Sequence, residues 1–212
     1  MNADALQTLV NAQDGHKEKQ CQPYLERAQR LLLPRTPVQI IEFSREEPSR
    51  AGRSDFVISA AFGDSGTFEK NAYVWEVKSP QTFLFEPDDS AQRLRPTKDF
   101  IKAETQLAYY VLELQDSPTF RAKYDLDAFS KVIPAGIIIG RSDAMCKPID
   151  GATAKQQQDL ERSALIMRKN LIYGPAQLTI FTWDDVVRFL RDLEKPQTSL
   201  LSVFQSPAGA GN

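Results

Sequence analysis

SDFVISAAFGDSGTFEKNAYVWEVK, residues 54–78, decides how this chain is read. Residues 54–62 have the apolar, β-favouring content of a strand, and Gly63-Asp64-Ser65-Gly66 gathers residues that favour turns. Residues 72–78, AYVWEVK, form the next strand. Side chains alternate between faces along a strand, so Glu76 and Lys78 share one face and Trp75 and Val77 the other. A Glu and a Lys in an otherwise apolar strand need a reason, because charges are seldom buried unless paired or bound to metal. Asp55 opens the preceding strand, and a hairpin brings it beside Glu76.

Outward from this pair the pattern predicts an α/β domain. Residues 37–43, PVQIIEF, make a further strand, and the three in succession suggest an antiparallel meander. Upstream, residues 2–13 read as a short helix with Leu6, Leu9 and Val10 on one face, ended at Asp14-Gly15. Residues 23–33 read as a stronger one, with Tyr24, Leu25, Ala28, Leu31 and Leu32 at helical spacing and Pro23 in its first turn. Downstream, residues 79–97 are loop-like and contain three prolines. Thr97 caps a helix over 98–115 with an apolar stripe of Phe100, Ala103, Leu107, Val111 and Leu114. A second loop (116–131) leads to AGIIIG, residues 135–140, a fully buried strand. A polar helix over 153–170, a strand at 177–181 and a helix from the capped start Thr182-Trp183-Asp184-Asp185 to Lys195 complete the order. The expected architecture is a mixed β-sheet flanked by helices. Residues 1–14 form an N-terminal segment, 15–204 the domain and 205–212 a flexible tail.

The 212 residues suffice for one sizeable core. The net charge of -2 argues against a general electrostatic nucleic-acid binder but leaves room for a local basic lip around an acidic site. Two cysteines, Cys21 and Cys146, and a lone His16 build neither a disulfide framework nor a zinc site. The N-terminus has no basic start followed by an apolar run, and no stretch has the length of a membrane span. A soluble cytoplasmic protein is expected.

The chemistry follows from Asp55, Glu76 and Lys78. Two adjacent carboxylates repel, and a hard cation, Mg²⁺ or Mn²⁺, removes that conflict. It would lower the pKa of a bound water, and Lys78 could orient that water and stabilise charge on a phosphate. Glu76-x-Lys78 is the only Asp/Glu-x-Lys triplet in the chain. The competing reading is a solvated ion pair on a strand. Gln106 and Tyr110 stand four apart and share a face of the 98–115 helix. Asp55, then Glu76-x-Lys78, then Gln106-x-x-x-Tyr110 resembles the arrangement of PD-(D/E)xK nucleases.

Joined in order, RSDFVI, YVWEVKSPQTFLF, a basic loop, AETQLAYYVLEL, PAGIIIGR and LTIFTWDDVVRFL resemble the nuclease domain of the Shedu family of anti-phage defence proteins, over roughly residues 50–190. The resemblance implies a restriction-endonuclease-like fold, metal-dependent cleavage of DNA and a homo-oligomer. It assigns catalysis to Asp55, Glu76, Lys78 and Gln106, metal binding to Asp55, Glu76 and the Val77 carbonyl, and a substrate contact to Tyr110. A regulatory region common in that family finds little room here, so a protein partner could supply regulation. The first-helix carboxylate found in many such nucleases is open between Glu18 and Glu26.

Basic residues border the site in sequence. Arg93, Arg95, Lys98 and Lys102 lie on one side and Arg50 and Arg53 on the other, as phosphate-contacting lips. Arg141 could reach phosphate or pair with an acid at its strand end. Glu86, Asp88 and Asp89 either solvate their loop or form a second metal site. Phe83 and Phe85 are expected core anchors, with one able to stack on a base. A nuclease acting on RNA or single strands, and an inactive nuclease fold that binds DNA or a protein, remain competing functions.

Overall fold

Two long antiparallel hairpins set the architecture. The computed structural model describes residues 2–49, 52–64, 67–88 and 93–195. Strand β1 (Gln39–Ser49) pairs with β2 (Gly52–Asp64), which pairs with β3 (Thr67–Val77), all antiparallel. The meander expected from the sequence is present, with longer strands. β1 runs past residue 43 to Ser49 and tolerates Pro48 because it is an edge strand, where a missing N–H breaks no inner ladder. A bulge near Ile41 shifts its register. Residues 65 and 66 of the expected turn lie outside the described residues, as do Arg50, Asp89 and the tail.

After β3 the chain forms a small hairpin, β4 (Phe85–Pro87) with β5 (Leu94–Pro96), and then helix α3 (Lys98–Gln115). Strand β6 (Lys131–Ile138) returns parallel to β3, and β7 (Thr179–Phe181) lies parallel to β6. The sheet order is β1-β2-β3-β6-β7. This mixed sheet flanked by helices is a restriction-endonuclease-like arrangement. Residues 79–97 are therefore not a structureless loop. Leu84, Phe85 and Leu94 are buried there, and Leu84 and Phe85 both donate N–H groups to the Met145 carbonyl.

Each sheet face has its own core. Phe56, Ile58, Tyr73, Trp75 and Val77 point to one face, under α1 (Ala3–Asn11) and α7 (Trp183–Glu194). Val57, Ala72, Val74 and Ile137 point to the other, under Phe100, Ala103, Leu107 and Tyr110 of α3. Tyr110 is buried where the helical stripe assigned Val111, which is only partly so. Cys21 belongs to the first core and Cys146 to the second, so the sheet separates the two free thiols.

One expected helix is not there. Residues 23–33 fold as two 3₁₀ turns, Gln22–Glu26 and Gln29–Leu32, after a single helical turn α2 (Glu18–Cys21). Pro23 offers no N–H and cannot extend the α-helical ladder from Lys19. The apolar spacing was still informative, because Tyr24, Leu25, Ala28 and Leu32 are all buried. The second expected loop contains a short helix α4 (Pro118–Lys123). Helix α5 (Ala154–Arg168) continues as a π-helical turn, Lys169–Tyr173, and a last helical turn α6 (Gly174–Ala176). Among the described residues no helix is long and apolar enough to cross a membrane.

Gly136 marks the tightest crossing of these layers. A Cβ there would lie 2.2 Å from the Thr179 carbonyl oxygen and 2.5 Å from the Trp75 ring. Trp75 cannot yield easily, since its indole N–H donates to the Leu32 carbonyl (3.0 Å) and its ring stacks on Phe181 at 5.6 Å. Gly136→Ala should therefore destabilise the protein by about 1–3 kcal/mol through overpacking. A lowered urea unfolding midpoint checks this, and an unchanged one refutes it.

Candidate active site

The β2–β3 register places the acidic residues without further help. Phe56 lies opposite Trp75 and Val57 opposite Val74, so one more step sets Asp55 opposite Glu76. Both point to the α3 face, as the period of two requires. The Asp55 carboxylate also accepts the Val77 N–H at 2.7 Å, which locks it against the end of β3.

Glu76 is 1% exposed, deep under α3. Its Oε1 accepts from Lys78 Nζ at 2.5 Å. Its Oε2 is buried with no hydrogen-bond partner, alone in this among the buried side-chain polar atoms of the described residues. Lys78 Nζ also donates to Gln106 Oε1 at 3.0 Å, and Gln106 Nε2 donates to the Tyr110 hydroxyl at 3.3 Å. A solvated surface ion pair would not look like this. The competing strand-face reading of Glu76 and Lys78 is excluded by burial and by the helix laid over them.

The order α3 imposes is simple. Gln106 and Tyr110 are one turn apart, and Lys98 and Lys102 continue the same row toward the helix N-terminus. Thr97 caps that end by accepting from the Phe100 N–H, while its hydroxyl donates to the Phe83 carbonyl. The helix is thus fixed in rotation, and Tyr110 rests against the hairpin at Gly52, where a Cβ would lie 3.3 Å from its hydroxyl.

Of the two candidates for a first-helix carboxylate, Glu18 lies near the site and Glu26 does not. Glu18 sits within electrostatic reach of Asp55, Glu76 and Lys78. Glu26 instead pairs with Arg45 at 3.1 Å on the half-exposed side of the first core. Gln81 explains how Glu18 gets there. Its amide N–H groups donate to the Leu9, Val10 and Ala12 carbonyls, at the C-terminal end of α1 where the helical ladder runs out. Its Oε1, with Ser79 Oγ, accepts the Lys17 N–H (3.1 Å each). The segment carrying Glu18 is thereby tied to the residues directly after Lys78. The Lys78 main chain is held too: its N–H donates to the Ile138 carbonyl and its carbonyl accepts the Trp183 indole N–H, both at 2.8 Å. Neither Gln81 nor Trp183 was singled out from the sequence for this work, although both lie in segments that carry the family resemblance.

The electrostatics are unbalanced. Three carboxylates, Glu18, Asp55 and Glu76, face one ammonium, Lys78. Burial is the largest cause raising the pKa of each acid. Glu76, which also feels Asp55, is pushed up to about 8. For Lys78 burial, the largest single cause, works downward, but the Glu76, Asp55 and Glu18 carboxylates together outweigh it and the net shift is up, so Lys78 keeps its proton. Burial also raises the Tyr110 hydroxyl, which stays protonated at neutral pH.

A divalent cation fits this arrangement. It would take the unpartnered Glu76 Oε2 and offset the surplus negative charge. Among the described residues no three His, Cys, Asp or Glu side chains converge closely enough to enclose an ion. The side chains that would hold such an ion are two carboxylates, Asp55 and Glu76, with a main-chain carbonyl such as that of Val77.

The remaining expected residues are placed less centrally. Arg53, on the same strand face as Asp55, pairs with Glu46 at 3.1 Å. Arg93 pairs with Asp88 at 2.9 Å and Arg95 with Glu86 at 3.1 Å. Glu86 also takes Lys147 at 2.6 Å, so its charge is offset by two cations. Lys98 and Lys102 are exposed on α3. Arg141 pairs with Asp143 at 3.0 Å and donates to the Val10 carbonyl, the acid-pairing choice of the two left open. Phe85 is a core anchor, edge-on to Phe100 at 6.0 Å. Phe83 is not, being half-exposed while Leu84 is fully buried.

Compared with known families, the chain matches the model described as Shedu protein SduA, C-terminal, over residues 15–187. Compared with curated proteins, it matches none.

Glu76 gives this site a measurable pH signature. An acid with a raised folded pKa binds more protons folded than unfolded between its unfolded value, near 4.5, and about 8. In that window stability falls as pH rises, and above it the loss is complete. With chelator present, urea unfolding should show wild-type stability declining from pH 5 to pH 8 by on the order of 2–4 kcal/mol. Glu76→Gln should flatten most of that slope and exceed wild type at pH 8. Parallel pH profiles for the two proteins would count against the buried, raised Glu76.

Proposed function

The chain belongs to the Shedu family of anti-phage defence, and from that premise we propose that it is a metal-dependent nuclease that cuts DNA. The observation that carries the proposal is the buried Glu76 Oε2, unpartnered and facing surplus negative charge. A buried acceptor of this kind costs stability unless a ligand meets it.

Asp55 and Glu76, with the Val77 carbonyl, would hold Mg²⁺ or Mn²⁺, which when bound supplies Lewis acidity and lowers the pKa of a water. Asp55 is held for this by the Val77 N–H. Lys78 has three N–H donors, of which Glu76 and Gln106 take two. The third is free to orient a water or to hold charge developing on a phosphate oxygen. Gln106 fixes the rotamer of Lys78 through its carbonyl, and its amide is steadied by Tyr110. Tyr110 remains a neutral donor that can reach a substrate oxygen. Glu18 adds negative charge that favours a cation and disfavours a free phosphate in its place. Lys98, Lys102 and Arg53 flank the centre, where they meet the backbone of the strand without reading its sequence.

The test uses plasmid and linear DNA with Mg²⁺ or Mn²⁺ and with chelator, and RNA under the same conditions. DNA cleavage with metal and none with chelator is expected. Lys78→Ala should slow cleavage by about 10²-fold or more, while metal binding by calorimetry is retained. Asp55→Asn should lose both. Cleavage of RNA alone would reassign the substrate, and a fully active Lys78→Ala protein would overturn the assignment.

A further inference from the structure

A cleft of about 590 Å³ opens beside the active site. One wall is His16, two residues before Glu18, and another is Gln81 and Phe83, shortly after Lys78. The third is the start of α3 with Arg95, Lys98 and, across it, Lys147. Its volume is that of a small-ligand site. Its acids are Glu86 and Asp99. Glu86 is taken by Arg95 and Lys147, whereas Lys98 forms no ion pair with a described residue. The cleft thus has an available cation beside an aromatic ring.

Phe83 is the feature the rest of the structure does not explain. Its neighbours Leu84 and Phe85 are buried in the core, yet Phe83 stays half-exposed in the cleft. Its position is fixed, because its carbonyl accepts the Thr97 hydroxyl at 2.8 Å and the following N–H groups bind Met145. A partly exposed ring on a fixed main chain, lining the same cleft as an ammonium that pairs with no described acid, offers the two contacts used to hold one nucleotide of a single strand: stacking for the base, a cation for the phosphate.

We propose that this cleft holds one unpaired nucleotide of the strand being cut, its base stacked on Phe83 and its phosphate on Lys98. The inference rests on the nuclease reading above and adds a subsite to it. Lys98 precedes Gln106 by two turns, about 12 Å of helix at 1.5 Å per residue. At about 3.4 Å per nucleotide the subsite lies roughly three to four steps from the cut. An enzyme built this way prefers DNA that is locally unpaired on one side of the scissile phosphate.

The test measures binding in chelator, so that cleavage plays no part. A labelled single-stranded oligonucleotide is titrated by anisotropy against wild type, Phe83→Leu, Phe83→Trp and Lys98→Ala. Phe83→Leu should bind about tenfold more weakly and Phe83→Trp as well as wild type. Lys98→Ala should lower the slope of log affinity against log salt by ~0.7. In wild-type protein, 2-aminopurine walked along the strand should be quenched at one position, three or four steps from the mapped cut. This readout decides the matter even if Phe83→Leu folds poorly. Uniform 2-aminopurine fluorescence, or a folded Phe83→Leu that binds like wild type while wild type cuts DNA with metal, would overturn the subsite alone. A wild type that neither binds nor cuts DNA would overturn the nuclease reading and the subsite with it.

Discussion

Burying Glu76 is the constraint on which the site depends. Its side chain sits on an inner strand, under a helix, with one ammonium against it and two other carboxylates nearby. Among the described residues its Oε2 is the buried side-chain polar atom left without a hydrogen-bond partner. The surrounding structure answers with position rather than with charge. Asp55 is locked by the Val77 N–H, Lys78 by Gln106, and Gln106 by Tyr110. Each polar group near Glu76 is thus held still, which is what a site for a hard cation requires, since ligand movement on binding would weaken it.

The scaffold supplies this rigidity through a few long-range ties. Gln81 fastens the end of α1 and the turn before Glu18 to the segment that follows Lys78. Trp183, at the start of α7, holds the Lys78 carbonyl. The capped N-terminus of α7, with Thr182 donating to Asp185, sets the direction of that indole. These contacts join elements more than sixty residues apart in sequence. They also explain why the first and last helices, which carry none of the proposed chemistry except near Glu18, are part of the same working unit. α1 and α7 pack on each other under the face of the sheet opposite α3.

Much of this could be read from the chain itself. The meander, α3, the buried β6 and the capped α7 followed from periodicity, turn residues and capping chemistry, which are local. The sharing of one face by Glu76 and Lys78 followed from the strand period alone. The errors also have local causes. Residues 23–33 have helical apolar spacing, but spacing reports only which side chains face the core, and Pro23 decided the backbone. Residues 79–97 have the prolines and acids of a loop, while the ties that order them run from Leu84 and Phe85 to the distant Met145 and from Thr97 back to Phe83.

Sequence by itself determined the acid-x-lysine strand, the helix bearing Gln106 and Tyr110, and their order along the chain, because each is set by neighbours a few residues away. It also carried enough likeness to identify the family. Only the tertiary structure decided that Glu18 rather than Glu26 faces the site, that Arg95 and Arg93 are already paired with loop acids, and that Arg141 binds Asp143. Those choices depend on which distant segments meet, and no spacing encodes them. The fold also decided that Phe83 stays accessible while Leu84 and Phe85 are buried, since adjacent residues of one apolar run differ only in which wall they meet.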